Sequence, residues 1–192
     1  MTHLIYIHGF NSSPQSLKAQ QLLAFVQACR PDIRVQVPAL PMNPEAALAL
    51  LESCVQACPL APGLIGSSMG GFFANVLAAR HGLRAVLVNP AVHPHQLLRR
   101  HLGVNHNYHT GEASELRAAH VDFLQRTEVA PGHRDRIRVL LETGDETLDY
   151  RDAERFYTGC HVEIAQGGSH AFEGFQAALP SIVDFLEQSN EQ

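Results

Sequence analysis

The sequence has no apolar run that approaches the length of a membrane-spanning helix. Its opening residues, Met1-Thr2-His3-Leu4-Ile5-Tyr6-Ile7, carry no basic leader region and run straight into a strand-like segment. No signal peptide is expected, and the cytoplasm is the default compartment. Positive charge is scarce. The 14 Lys and Arg against 19 Asp and Glu leave a formal net charge of −5, which offers no electrostatic case for a nucleic-acid partner. There are only four cysteines, and their spacing suggests no disulfide framework. Cys54 and Cys58 fall on the stripe Ala47-Leu50-Leu51-Cys54-Cys58 and read as small buried apolar side chains. A metal site there would need further ligands nearby, and none is apparent. No H-E-x-x-H pattern, internal repeat, linker or low-complexity tract occurs.

What is present is a globular composition, 45% hydrophobic and 17% charged in 192 residues. That length suits one domain, 1–192, with a substantial core. Leu4-Ile5-Tyr6-Ile7 reads as a first strand, and Ser13-Pro14 as the N-cap and first position of a helix whose apolar face is Ala19, Leu22, Leu23 and Val26. Ile33, Val35 and Val37 alternate with polar residues, as in an edge strand. Asn43-Pro44 caps a second helix that ends near Pro59. Leu64-Ile65 leads into Gly66-Ser67-Ser68-Met69-Gly70-Gly71, and a helix follows to His81-Gly82. Ala85-Val86-Leu87-Val88 is a continuous apolar run, the mark of a strand covered on both faces. Ile137 to Glu142 and His161 to Ala165 are later strands; Arg151 to Tyr157 and Ala177 to Gln188 are helical. This alternation predicts an α/β fold in three layers, α/β/α, around a mostly parallel sheet of about six strands.

The stretch Pro90–Gly132 breaks that rhythm and is expected to form a small helical cap over the strand ends, with helical pieces at Gln96–Leu102 and Glu112–Gln125. It carries His93, His95, His101, His106, His109 and His120, which read as surface polar residues in the absence of metal-type spacing. Arg99-Arg100-His101 reads as a solvated helix face.

Ser68 lies midway between Gly66 and Gly70 in the pattern G-x-S-x-G, with a strand before it and a helix after it. This is the setting of a nucleophile elbow, a tight turn that lifts a serine hydroxyl above the sheet. Side chains at the flanking glycines would collide where the helix doubles back over its strand. A serine hydroxyl needs a base, and the base needs an orienting acid. In this fold the chain order should be serine, acid, histidine, with the latter two after late strands. Asp145, after Gly144 at a strand exit, is the preferred acid; Asp149 is the rival and could instead cap the next helix. Glu142 and Glu146 are neighbours without a defined role. His170, in the loop Gln166-Gly167-Gly168-Ser169-His170-Ala171-Phe172 after the last strand, is the candidate base. The Met69 amide, next after the nucleophile, supplies one oxyanion donor, and the Phe10 amide in His8-Gly9-Phe10 the other, with Gly9 letting the substrate approach the backbone. His8 orients that loop or is simply buried against a backbone partner, and carries no catalytic role.

These pieces, taken in order, resemble an α/β-hydrolase, specifically the small bacterial YqiA-type esterases. The matching residues are Tyr6-Ile7-His8-Gly9-Phe10-Asn11-Ser12-Ser13-Pro14, Gly66–Gly71, Asn89-Pro90-Ala91-Val92, Thr143-Gly144-Asp145-Glu146, Leu148-Asp149-Tyr150-Arg151 and Gly168-Ser169-His170-Ala171-Phe172. The resemblance implies a triad of Ser68, Asp145 and His170 acting on small acyl esters, with acyl-CoA thioesters as a further class. No metal or cofactor is expected, and the partner is a small-molecule substrate. Other readings are a thioesterase or carbon–carbon bond hydrolase on the same triad, a metal-dependent hydrolase using the cap histidines, and a binding protein on a hydrolase scaffold. Acyl length, leaving group and oligomeric state are not encoded in any motif.

Overall fold

A computed structural model describes residues 2–188. In chain order the strands are β1 (Thr2–Ile7), β2 (Ile33–Gln36), β3 (Gly63–Ser67), β4 (Ala85–Val88), β5 (Gly103–His106), β6 (Ala113–Leu116), β7 (Ile137–Glu142) and β8 (His161–Ala165). The helices are α1 (Leu17–Cys29), α2 (Pro44–Ala57), α3 (Met69–His81), α4 (Pro94–Leu98), α5 (Ala118–Thr127), α6 (Tyr150–Phe156) and α7 (Phe175–Glu187). Six strands form one sheet in the order β2-β1-β3-β4-β7-β8, and every pairing in it is parallel.

The period-two alternation of β1 feeds two cores. Ile5 and Ile7 point into a cluster that includes Leu51 of α2, Leu77 of α3 and Tyr157 beside α6. Leu4 and Tyr6 point to the opposite face, against Leu22 of α1 and Phe175, Leu179 and Ile182 of α7. Every residue of β3, β4 and β7 is buried, and β4 is the unbroken apolar run of a strand covered on both faces. The flanking helix α3 is buried from Met69 to Ala78 and ends at Gly82, whose φ of 64° is the left-handed cap glycine favours.

Three local expectations need correction. Ser13 is not the cap of α1: its Oγ accepts from the Gln15 amide at 3.1 Å, closing a local turn, and the helix starts only at Leu17. The first cap helix is shorter than expected, giving way at Arg99–His101 to a 3-10 turn. The second expected piece, Glu112–Gln125, splits. Its first half becomes β6, paired antiparallel with β5 from Gly103↔Leu116 to His106↔Ala113, and only Ala118–Thr127 is helical. The cap is therefore a hairpin with two helices rather than purely helical. The hairpin is anchored at its tip: the Tyr108 amide donates to Asn11 O at 2.8 Å and the Asn107 side chain to Ser12 O at 2.7 Å. Those long-range bonds, with burial of Leu116, override the local helical pattern.

Candidate active site

The site lies at the C-terminal ends of the strands, where a parallel sheet opens between its crossovers. Strand β3 turns into α3 through Ser68, which adopts φ 56° and ψ −118°, a conformation an L-residue rarely takes and that costs on the order of 1–3 kcal/mol. The glycines around it make the turn sterically possible. A Cβ at Gly66 would overlap the Gly70 carbonyl, and one at Gly70 would overlap Ile7 O of the neighbouring strand. The turn is tied down by Ser68 N donating to Val88 O at 3.0 Å and Ser68 O accepting from the Gly71 and Ala91 amides at 2.9 and 3.0 Å.

His170 Nε2 lies 3.0 Å from Ser68 Oγ, and its Nδ1 lies 2.8 and 3.0 Å from the two oxygens of Asp145. Asp145 Oδ1 also accepts from the Thr147 and Leu148 amides, each at 2.8 Å, and its side chain is only 2% exposed. Burial pushes the Asp145 carboxyl up. The His170 hydrogen bond, with the two amides, outweighs it and holds the pKa below the ordinary carboxylate value. An ionised Asp145 makes Nδ1 the protonated nitrogen, which leaves Nε2 free to accept the serine proton. Asp149, the rival acid, is the N-cap of α6: its Oδ1 accepts from the Arg151 amide at 3.0 Å, and the described residues show no hydrogen bond or ion pair between it and His170.

Gly9 packs directly on Ser68, since a Cβ there would sit 3.3 Å from Ser68 Cβ. The adjacent Phe10 amide and the Met69 amide at the start of α3 have no backbone acceptor among the described residues. His8 is buried; its Nδ1 donates to Gly9 O at 3.0 Å and its Nε2 accepts from the Leu40 amide at 3.2 Å. Burial, assisted by His109, lowers its pKa against the opposing pull of the Gly9 carbonyl, so a neutral imidazole braces the loop.

This geometry has relatives. The family described as "Uncharacterised protein family (UPF0227)" matches residues 3–187. The chain belongs to that family. A UPF0227 protein of Shewanella sp. (strain ANA-3) is 24% identical over 194 residues, spanning 95% of this chain and 98% of the relative. Among solved structures, ferulic-acid-bound Est1E from Butyrivibrio proteoclasticus superposes with a TM-score of 0.74 at 14% identity, covering 96% of this chain and 88% of that one. Mouse alpha/beta hydrolase domain-containing protein 10 gives 0.72 at 13% identity, with coverage of 97% and 90%. A monoacylglycerol lipase from Paleococcus ferrophilus gives 0.67 at 13% identity, with coverage of 95% and 94%. These likenesses establish the α/β-hydrolase fold of the UPF0227 chain.

Sequence reasoning missed how the UPF0227 chain fixes its histidine loop. Glu142, at the end of β7, is buried, and its carboxylate accepts from the Ser169, Glu173 and Gly174 amides at 2.8, 3.0 and 3.1 Å. Gly168, at φ 71°, has no room for a Cβ, which would overlap Glu142 Oε2. Asn89, at φ 40°, accepts from the Glu142 amide at 3.0 Å and donates to Ser169 O and His170 O at 3.0 and 3.3 Å. Glu146 accepts from the His170 amide at 2.9 Å. The available signal was a Glu directly after the apolar run Val139-Leu140-Leu141, since a buried carboxylate must find donors. Glu142→Gln turns its amide NH₂ toward at least one of those N–H groups. It is expected to cost about 2–4 kcal/mol in denaturant unfolding and to lower kcat more than it changes KM.

The cap histidines are not uniformly surface decoration. His93 Nδ1 lies in hydrogen-bond geometry 2.9 Å from Glu128 Oε1, tying the start of α4 to the end of α5, while His95 Nδ1 lies 3.1 Å from Glu128 Oε2 without hydrogen-bond geometry. His120 caps α5 by accepting from the Arg117 amide at 3.3 Å. His101 lines the cleft near Phe10, while Arg99 and Arg100 are exposed. Among the described residues, no group of three or more His, Cys, Asp or Glu is placed to hold a metal ion. Likewise, no described helix is long and apolar enough to cross a membrane.

Proposed function

We propose that this protein is a serine hydrolase that cleaves small carboxylic esters through an acyl-serine intermediate. The observation that carries the reading is the continuous hydrogen-bonded relay from Asp145 through His170 to Ser68, built at the strand ends. Ser68 Oγ attacks the ester carbonyl as its proton passes to His170 Nε2, and the carbonyl oxygen becomes an oxyanion between the Phe10 and Met69 amides. Collapse breaks the bond to the leaving oxygen, which takes the proton from Nε2. Water then attacks the acyl-serine, gives a proton to the same nitrogen, and the acid departs as the proton returns to Ser68. Asp145 orients the imidazole and stabilises its cationic form in both halves.

Thioesters meet the same requirements, because the leaving sulfur stands where the leaving oxygen would. Two of the structural relatives support the ester class by what their descriptions say: one holds ferulic acid, another is a monoacylglycerol lipase. Treatment with a fluorophosphonate is expected to add one equivalent, mapped to Ser68 by peptide mass spectrometry. Folded protein that stays unmodified would overturn the proposal.

A further inference from the structure

The chain has 14 basic Lys and Arg residues, and only one of them, Lys18, is a lysine. It stands in the first turn of α1, beside Leu17, which is 70% exposed. Lys18 is turned inward instead. It lines a cleft of about 490 Å³ together with Ser68, Met69, Phe10 and His170. Its Nζ donates to Ala171 O at 2.6 Å. An ammonium carries three N–H donors, and among the described residues this is the one hydrogen bond Lys18 makes. No described carboxylate forms an ion pair with it.

Burial lowers the Lys18 pKa, and Glu142 and Asp145 pull it back up without touching it. Both acids are already engaged, Glu142 by three amides and Asp145 by His170 and two amides. The one carboxylate in the cleft wall, Glu146, accepts from the His170 amide. A partly desolvated cation with open donors is costly unless something anionic arrives. Ser12, Ser16 and Tyr108 line the same cleft, and among the described residues Ser16 Oγ is buried without a hydrogen-bond partner.

Direction follows from the chemistry. In the proposed mechanism His170 protonates the leaving oxygen, so the leaving group must lie on the His170 side of the ester carbon. Lys18 bonds the carbonyl of the next residue, Ala171, and so sits on that side. We propose that Lys18 binds a compact oxyanion, a carboxylate or a phosphate, on the leaving-group portion of the substrate. The substrate class is then an ester of a hydroxy acid or of a phosphorylated alcohol, with a small uncharged acyl part. This rests on the serine-hydrolase reading above and narrows it.

The test uses the full chain and three butyrate esters of matched size, whose alcohol portions carry a neutral group, a carboxylate or a phosphate. Wild type is expected to favour one or both anionic esters by about tenfold or more in kcat/KM, with the gain in KM. The carboxylate and phosphate arms tell which anion is preferred. Lys18→Gln keeps a donor for Ala171 O but removes the charge, and is expected to bring the ratio of anionic to neutral ester close to one. Lys18→Arg is expected to retain part of the preference. A purely structural role would lower all three esters together and leave the ratio untouched, which would overturn the proposal. Should Lys18→Gln fail to fold, the wild-type ratio still decides, since a value of one or below refutes it. Turnover of the neutral ester without anion preference sinks only the Lys18 assignment. No turnover of any ester, with Ser68 unreactive to fluorophosphonate, sinks both.

Discussion

Ser68→Ala is expected to lower kcat for a cleaved ester by about 10⁴–10⁶-fold while leaving a folded protein. The substitution removes only the Oγ that stands 3.0 Å from His170 Nε2. The turn itself is held by backbone bonds from Ser68 N to Val88 O and from the Gly71 and Ala91 amides to Ser68 O, and these survive. Circular dichroism and thermal unfolding should therefore resemble wild type. Residual hydrolysis would come from whatever oxyanion stabilisation the Phe10 and Met69 amides give to attacking water. An activity within tenfold of wild type would mean that another group is the nucleophile.

Asp145→Asn is expected to cost about 10³–10⁴-fold in kcat, for a reason specific to this turn. Asp145 Oδ1 accepts from two backbone amides, Thr147 and Leu148, while Oδ2 faces His170 Nδ1 at 2.8 Å. An asparagine must keep its carbonyl oxygen toward the two amides. Its NH₂ group then faces Nδ1, donor against donor, unless the imidazole moves its proton to Nε2. In that tautomer Nε2 cannot take the proton of Ser68. Asp149→Ala is the companion variant. It removes an N-cap and should cost about 1 kcal/mol of stability with only a small change in turnover. Steady-state kinetics of the two variants separate the acids directly. The reverse ranking would move the acid role to Asp149.

The hydrolase fold was legible because its signals are local. Alternation in β2, the unbroken apolar run of β4, the Asn43-Pro44 helix start and the Gly82 helix end each depend on a few adjacent residues. The elbow glycines were legible for the same reason, since their close contacts are dictated by a turn of six residues. The cap was less so. Ala113–Leu116 carries a pattern acceptable to a helix, and only pairing with Gly103–His106 and anchorage at Asn11 and Ser12 makes it a strand.

The sequence alone determined which residue types stand at the ends of which strands, and in what order: a serine after β3, acids after β7 and a histidine after β8. It preferred Asp145 to Asp149 for its place at the strand exit, but could not see which of the two meets His170. Nor could it assign Glu142, or see that the one lysine shares a cleft with Ser68. Those matters were decided by the tertiary structure, because the groups that satisfy each side chain lie far along the chain. Ser68 and His170 are 102 residues apart, Glu142 and Ser169 are 27, and Lys18 and Ala171 are 153. A buried polar group takes the partner that the packed sheet brings within 3 Å, and that choice is made by the register of β3, β7 and β8 rather than by anything adjacent in sequence.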